Sequence, residues 1–240
     1  MGVIVVGGGI IGVSTAYFLA KRGESVTVIE RQGIACAASG KAGGFLANEG
    51  WASKYCEELH EKGFALHQEL AQVFCLETFR MIPSLSVSNG KGSIHSSFVN
   101  PLKAVCKPMD SNTAQVTPDE LCNKMFLQCE GMGVKLVIDQ VCGIDQIRNE
   151  VVLKKGSTLE FTKIVLCMEP WTCEAEDWLD GLSVPMTGIK SSSIIASTVN
   201  EVSPTALFCE EDNHSCHLEI YPRPNNTIYI CGLGKSPHLN

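Results

Sequence analysis

The sequence lacks the patterns that identify several common classes of protein. None of its 12 cysteines is paired as C-x-x-C, so neither a zinc ribbon nor a thioredoxin-like motif is predicted, and no metal site is expected. Lysine and arginine number 19 against 26 acidic residues and are scattered, and the net charge of -7 argues against a nucleic-acid partner. The sequence shows no transmembrane segment, and its N-terminus shows no secretory signal pattern.

The composition that remains is typical of an ordinary folded protein. Hydrophobic residues make up 45% of the 240 residues and charged residues 19%, which suits one large domain or two small ones. Because the cysteines lie singly along the chain, we expect them to be reduced, mostly buried thiols in a cytoplasmic protein.

A glycine-rich segment follows the first apolar run. The β-branched run Val3–Val6 predicts a buried parallel strand, and residues 13–22 predict an amphipathic helix. The segment between them fits G-x-G-x-x-G through Gly7, Gly9 and Gly12. The order strand, glycine turn, helix is the context that this motif requires, so a dinucleotide-binding βαβ unit is predicted.

An acidic residue ends the second predicted strand. Residues 26–29 of the predicted strand 25–29 are apolar or β-branched, and Glu30 follows them, 18 residues after Gly12. A carboxylate at this position accepts hydrogen bonds from ribose hydroxyls and repels a 2′-phosphate, which disfavours NADP. The residues themselves leave both FAD and NAD open.

Residues 3–31, VIVVGGGIIGVSTAYFLAKRGESVTVIER, resemble the N-terminus of the D-amino-acid-oxidase-like (DAO) family of FAD-dependent oxidoreductases, which includes glycine and sarcosine oxidases. Residues 33–47, GIACAASGKAGGFLA, are similar to the second flavin-contacting loop of that family. NAD-dependent dehydrogenases lack this loop, so the resemblance favours FAD as the cofactor.

The resemblance implies a set of cofactor-binding residues: Gly7, Gly8, Gly9, Ile10, Ile11, Gly12, Glu30, Arg31, Ser39, Gly40, Gly43, Gly44 and Val141. Val141 is expected to meet the adenine through its backbone. One position departs from the family, where a small residue, commonly glycine, precedes Pro-Trp. Here Glu169 precedes Pro170, which brings a carboxylate towards the dinucleotide phosphates unless its side chain points to solvent.

Two residues are candidates for substrate binding. Residues 217–224 and 227–232, joined by an Asn-Asn turn, predict a β-hairpin. By resemblance this hairpin contributes substrate contacts, and Tyr221 and Arg223 could supply a hydroxyl and a guanidinium for a substrate carboxylate. The alternative is a packed tyrosine and a surface arginine. No catalytic residue is assigned.

The predicted fold class is α/β with two domains. A Rossmann-type FAD-binding domain with a parallel sheet is expected at 1–80 and 140–187. A discontinuous substrate domain with a mixed or antiparallel sheet is expected at 81–139 and 188–240, incomplete at its C-terminus because relatives continue further. The sequence also predicts one strand over 134–141 and a hairpin of 150–154 with 158–161 before a separate strand at 164–167.

The function implied by the resemblance is that of a flavin-dependent enzyme. It would oxidise a C–N bond of an amine or amino acid by hydride transfer to FAD. One alternative is a catalytically inactive FAD-binding or adaptor-like relative. Another is an NAD-dependent dehydrogenase, against which the loop from Ser39 to Gly44 argues. The substrate and the oligomeric state are left open by the sequence.

Overall fold

The computed structural model describes residues 2–48, 50–51, 53–89, 104–211, 217–233 and 238–239. The chain folds into two compact units, each built from two separate stretches of sequence. The first unit combines the residues up to Ala42 with Leu121–Gly188, and the second combines Gly43–Glu120 with Ile189–Leu239.

The helices are α1 (Ile10–Lys21), α2 (Ala38–Lys41), α3 (Glu57–Val73) and α4 (Pro118–Gly131), and a 3₁₀ helix covers Glu169–Asp177. The strands are β1 (Gly2–Val6), β2 (Val26–Glu30), β3 (Phe45–Leu46), β4 (Arg80–Asn89), β5 (Ala104–Gln115), β6 (Lys135–Ile138), β7 (Val141–Asp145), β8 (Glu150–Leu153), β9 (Thr158–Leu166), β10 (Gly188–Ile189), β11 (Ser193–Ser197), β12 (Ala206–Cys209), β13 (His217–Arg223), β14 (Thr227–Leu233) and β15 (His238–Leu239).

The first unit is built on a six-stranded sheet in the order β6-β2-β1-β9-β8-β7. Strands β6, β2, β1 and β9 run parallel, while β8 and β7 continue the sheet as an antiparallel meander. The apolar run predicted as a central strand is indeed central, and Val5 is fully buried. Its neighbour β2 buries Val28 equally completely, as expected for strands covered on both faces.

Two strand predictions in this unit were wrong in their bounds. Strand β9 is continuous, and it pairs with β8 through its first half and with β1 through its second half. The predicted strand 134–141 is two strands, β6 and β7, at opposite edges of the sheet. The break falls at Asp139, whose carboxylate accepts the Gln140 amide at 2.8 Å in a local turn.

The compact units have different bounds from the expected domains. Helix α4 from Leu121 onwards belongs to the first unit, because its inner face packs on α1: Ser14 Oγ lies 3.5 Å from Met125 Sδ. Residues 43–80 belong to the second unit, because β3 and β4 pair with β5. Both segments are assigned to a different unit from the expected domain because of contacts between distant parts of the chain.

The second unit is built on a seven-stranded mixed sheet in the order β11-β14-β13-β12-β4-β5-β3. The predicted hairpin is confirmed as β13 and β14, which pair from His217↔Leu233 to Arg223↔Thr227. The turn contains Asn226 in the left-handed region, at φ 55°, which asparagine tolerates well. Strands β4 and β5 form a long antiparallel pair, from Arg80↔Gln115 to Asn89↔Ala104.

The cysteines are less buried than expected. Among those the structure describes, Cys122 and Cys129 are buried, whereas Cys36, Cys56, Cys75 and Cys142 are exposed. The expectation of mostly buried thiols was therefore wrong. Of the helices in the described ranges, none combines the length and apolar character needed to span a bilayer.

Candidate dinucleotide site

A cleft opens in the first unit where the parallel strands β1, β2 and β9 end. It encloses about 670 Å³ of space, part of it continuous with solvent. Open α/β sheets bind ligands at the carboxyl ends of their strands, at the point where the connections diverge to either side. Strand β1 is at such a point, between β2 and β9. The lining includes Gly7, Gly8, Gly9, Glu30, Arg31, Cys36, Ser39, Asp139, Val141, Met168, Glu169 and Trp171.

The glycine turn has the close packing that its sequence predicts. Gly7 adopts φ 111°, and a Cβ there would lie 2.2 Å from the Cys167 carbonyl oxygen. A Cβ on Gly12 would lie 1.9 Å from the Gly7 carbonyl oxygen. Both contacts are with backbone, which cannot easily move away. Only glycine therefore allows α1 to begin directly against the turn after β1.

Glu30 is fixed at the end of β2 by two backbone amides. Its Oε2 accepts a hydrogen bond of 2.7 Å from Gly8, and its Oε1 accepts one of 3.0 Å from Gln32. Each carboxylate oxygen can accept a further hydrogen bond. The carboxylate is thus held beside the glycine turn with acceptor capacity left for hydroxyl groups, which fits a ribose.

Arg31 places a cation on the wall of the cleft. Its guanidinium carbon lies 3.8 Å from the ring centroid of Trp171, in a cation–π stack. Sequence reasoning missed Trp171 and also Asp139, which lines the cleft directly after β6. The position of Asp139 at the end of a parallel strand was the signal available. The stack on Trp171 joins residues 140 positions apart and leaves no local signal.

Ser39 and Glu169 occupy the space at the start of α1. Ser39 Oγ accepts a hydrogen bond of 3.0 Å from the Ile10 amide and donates one of 3.0 Å to Glu169 Oε1. A Cβ on Gly9 would come within 2.9 Å of Ser39 Oγ and 3.2 Å of Glu169 Oε1. The Glu169 side chain therefore faces the cleft instead of solvent.

The other residues predicted for the cofactor are placed differently. Ile11 is 61% exposed on α1, and neither it nor Gly40 is among the lining residues. Gly40 has a packing role, since its Cβ would lie 2.0 Å from the Ala35 carbonyl oxygen. Gly43 and Gly44 belong to the second unit, where Gly44 has φ 80° and Gly43 lies against the ring of Tyr221.

Tyr221 and Arg223 lie on one face of β13 in the second unit, and both are buried, at 4% and 8% exposure. The Tyr221 hydroxyl donates a 2.5 Å hydrogen bond to Glu219. Burial is the main cause that raises the pKa of Tyr221, and this hydrogen bond raises it further. Burial lowers the pKa of the Arg223 guanidinium, which lies 5.1 Å from the Tyr229 ring centroid. Arg223 is therefore not the surface arginine of the alternative interpretation.

The sequence profile of the family described as FAD dependent oxidoreductase (DAO) matches residues 2–97 and 102–238. The chain belongs to this DAO family. Its cofactor is accordingly FAD, as the loop after β2 indicated, and the cleft fits the ADP half of that cofactor. A fixed carboxylate, a glycine turn and a helix N-terminus meet there, and these groups suit the ribose and phosphates of a dinucleotide.

Relatives of this DAO-family chain support the fold. A Schizosaccharomyces pombe protein named "Putative oxidoreductase C1F5.03c" is 26% identical over 96% of this chain and 69% of its own length. Glycine oxidase from Geobacillus kaustophilus superimposes with a TM-score of 0.79 at 18% identity, over 99% of this chain and 72% of that one. L-proline dehydrogenase from P. horikoshii gives a TM-score of 0.76 at 16% identity, covering 99% and 70%. The predicted α/β fold is confirmed.

Proposed function

We propose that the first unit binds the ADP half of FAD in its cleft, and that the chain belongs to an enzyme oxidising the C–N bond of an amine or amino acid. The observation that carries the proposal is the fixed Glu30 carboxylate. It lies beside Gly8 at the end of β2, where a dinucleotide ribose is bound in βαβ units.

Each part of the ADP half has a partner in the cleft. The ribose hydroxyls would donate to Glu30, and the adenine would lie along the backbone at Val141, which lines the same cleft. The diphosphate would approach Gly9 and the N-terminus of α1, whose dipole attracts anions. Arg31, held by Trp171, would add a positive charge to that wall.

FAD, when bound, would be the two-electron acceptor, and the protein would bind and orient FAD and the substrate. Conversion of an amine C–N bond to C=N releases two electrons and two protons. For the substrate we propose Arg223 as the partner of a carboxylate, with Tyr221 beside it. A desolvated guanidinium binds a carboxylate more strongly than an exposed one does, since water competes less.

An anaerobic titration tests the reaction. The protein loaded with FAD is mixed with amino acids and with amines that lack a carboxylate, and the visible absorbance of the flavin is followed. Bleaching by any of these compounds supports the oxidase or dehydrogenase activity. A flavin that binds but is bleached by none of them would contradict it.

Matched arginine variants test the substrate contact. Arg223→Lys should raise the KM for an amino acid at least tenfold and leave the KM for a carboxylate-free amine nearly unchanged. Arg148→Lys is the control, because Arg148 is exposed and pairs only loosely, at 3.9 Å, with Asp145. Equal KM values for the amino acid in both variants would remove Arg223 from the site.

The second candidate is a flavin-binding relative without turnover. It is favoured by Glu169, whose carboxylate faces the cleft at a position where the family commonly has glycine. The same anaerobic titration separates the two candidates, because a non-catalytic binder keeps its flavin oxidised with every amine offered.

A further inference from the structure

A carboxylate of the protein, that of Glu169, lies at the start of α1 and is bonded to it through Ser39. The Ile10 amide, in the first turn of the helix, donates a hydrogen bond to Ser39 Oγ, and this hydroxyl in turn donates one to Glu169 Oε1. Both steps are 3.0 Å long. A serine hydroxyl has one hydrogen and can both accept and donate, so the chain from amide to carboxylate is internally consistent.

The position of the carboxylate coincides with the space that Gly9 leaves open. A Cβ on Gly9 would be 3.2 Å from Glu169 Oε1, so the carboxylate lies over the glycine. The absence of a side chain at this glycine is what lets a diphosphate approach the turn. The partial positive charge at the N-terminus of α1 attracts the carboxylate for the same reason that it attracts a diphosphate.

The backbone at Glu169 is strained to place the side chain there. Glu169 has φ 53°, in the left-handed region that L-residues other than asparagine and aspartate enter rarely. The following proline restricts the position further. Such strain persists only where the surroundings impose it, and it often accompanies a functional role.

The charged side chains that line the cleft are mostly acidic, so an anionic ligand is sensitive to the Glu169 carboxylate. The acidic side chains lining the cleft are Glu30, Asp139, Glu169 and Glu174, and Arg31 is the cationic one among the described lining residues. Of the four acidic groups, Glu169 is the one bonded through Ser39 to the helix terminus. The Glu169 carboxylate therefore lies at the position where a diphosphate entering the cleft would bind.

We propose that Glu169 is an internal competitor for the FAD diphosphate: its carboxylate occupies the anion position at the start of α1 and must leave before the diphosphate can engage the helix. The proposal rests on the placement of the diphosphate given above. The affinity for FAD is then set by displacement of Glu169 as well as by the contacts that FAD makes. Glu169 thereby limits the binding of diphosphate ligands selectively, without affecting contacts to adenosine.

Equilibrium titrations with three probes test this proposal. FAD and ADP carry the diphosphate, and adenosine lacks it. Glu169→Gln keeps the shape and removes the charge, and it should bind FAD and ADP about threefold to tenfold more tightly at low ionic strength, with adenosine affinity unchanged. Glu169→Gly removes both charge and bulk and should gain at least as much. The gain should shrink as salt is raised, because screening weakens the competing charge.

Glu24→Gln is the matched control, since Glu24 is exposed in the same unit and does not line the cleft. It makes the same charge change and should leave all three affinities as they are. Unchanged ADP affinity in both Glu169 variants, or an equal gain for adenosine, would overturn the competitor role. Failure of every protein to bind either FAD or ADP would instead overturn the dinucleotide site itself, and with it the role of Glu169.

Discussion

The Glu30 carboxylate and the Gly8 amide are joined by a hydrogen bond of 2.7 Å between residues 22 positions apart. This bond ties the end of β2 to the turn after β1. It fixes the carboxylate before any ligand arrives, and pre-organised groups bind with a smaller entropic penalty. The bond is therefore both a structural link and the basis of the proposed ribose contact.

Replacing Glu30 by alanine should weaken FAD binding. The loss of hydrogen bonds between a carboxylate and the ribose hydroxyls amounts to about 1.5–3 kcal/mol, which is roughly a tenfold to 150-fold increase in Kd. Titration of FAD into both proteins, followed by flavin fluorescence, measures the change. Glu24→Ala is the control, and an affinity for FAD that Glu30→Ala leaves intact would take Glu30 out of the site.

Substitution by alanine should lower the stability of the protein at Gly12 and its affinity for FAD at Gly9. A Cβ on Gly12 collides with backbone at 1.9 Å, so Gly12→Ala should lower the free energy of unfolding by about 1–3 kcal/mol. A Cβ on Gly9 meets only side-chain ends, those of Ser39 and Glu169, which can move. Gly9→Ala should therefore keep its melting temperature and lose FAD affinity.

Thermal unfolding and FAD titration of both glycine variants give the two readouts. A Gly9→Ala protein that binds FAD as tightly as the parent would show that the diphosphate does not pass this glycine. A Gly12→Ala protein of unchanged stability would contradict the close packing of α1 on the turn.

Bound FAD should protect Cys36 from alkylation. Cys36 is exposed and lines the cleft, whereas Cys75 is exposed and does not. We expect the rate of Cys36 modification to fall at least tenfold at saturating FAD while the rate at Cys75 stays constant, as measured by peptide mass spectrometry. Cys36 reacting equally fast with and without FAD would place the cofactor elsewhere.

Stability should fall at alkaline pH. Burial raises the pKa of Cys129 from 9.0 to about 11, and it raises the pKa of Cys231 to a similar value, aided by Glu219. Because the folded pKa exceeds the unfolded one, this contribution to stability is complete below about pH 9 and is lost as pH rises through 11.

Urea unfolding at several pH values in this window measures the slope. The free energy of unfolding of Cys129→Ala should decline less steeply with pH than that of the parent, because this variant lacks one of the two thiols with a raised pKa. Cys142→Ala is the matched control, since Cys142 is exposed, and it should keep the parent's slope. Identical slopes in all three proteins would contradict the assignment to Cys129.

Local signals in the sequence predicted the βαβ unit and the β13–β14 hairpin correctly. Each depends on short-range patterns: an apolar run before glycines, an acid at the end of β2, and a turn of asparagines. The continuity of β9 was not predictable, because its second half is held by β1, more than 150 residues earlier in the chain. The same holds for α4, whose unit is decided by its contact with α1.

The candidate site was predictable in part for the same reason. Glu30 and the glycines belong to one contiguous motif. The bond from Ser39 to Glu169 spans 130 residues, and the direction of the Glu169 side chain depends on a left-handed backbone that a sequence does not display. Sequence comparison could mark Glu169 as a departure but could not say which way it faces.

A comparison of FAD with FMN shows whether the first unit recognises the ADP half of FAD. FMN has the same flavin ring but lacks the ADP half that Glu30, Gly9 and Val141 are proposed to hold. We expect saturable binding of one FAD per chain, with FMN bound at least 100-fold more weakly, because FMN lacks most of the proposed contacts. Equal affinities for FAD and FMN, or binding of neither by the parent and by Glu169→Gly, would contradict this recognition.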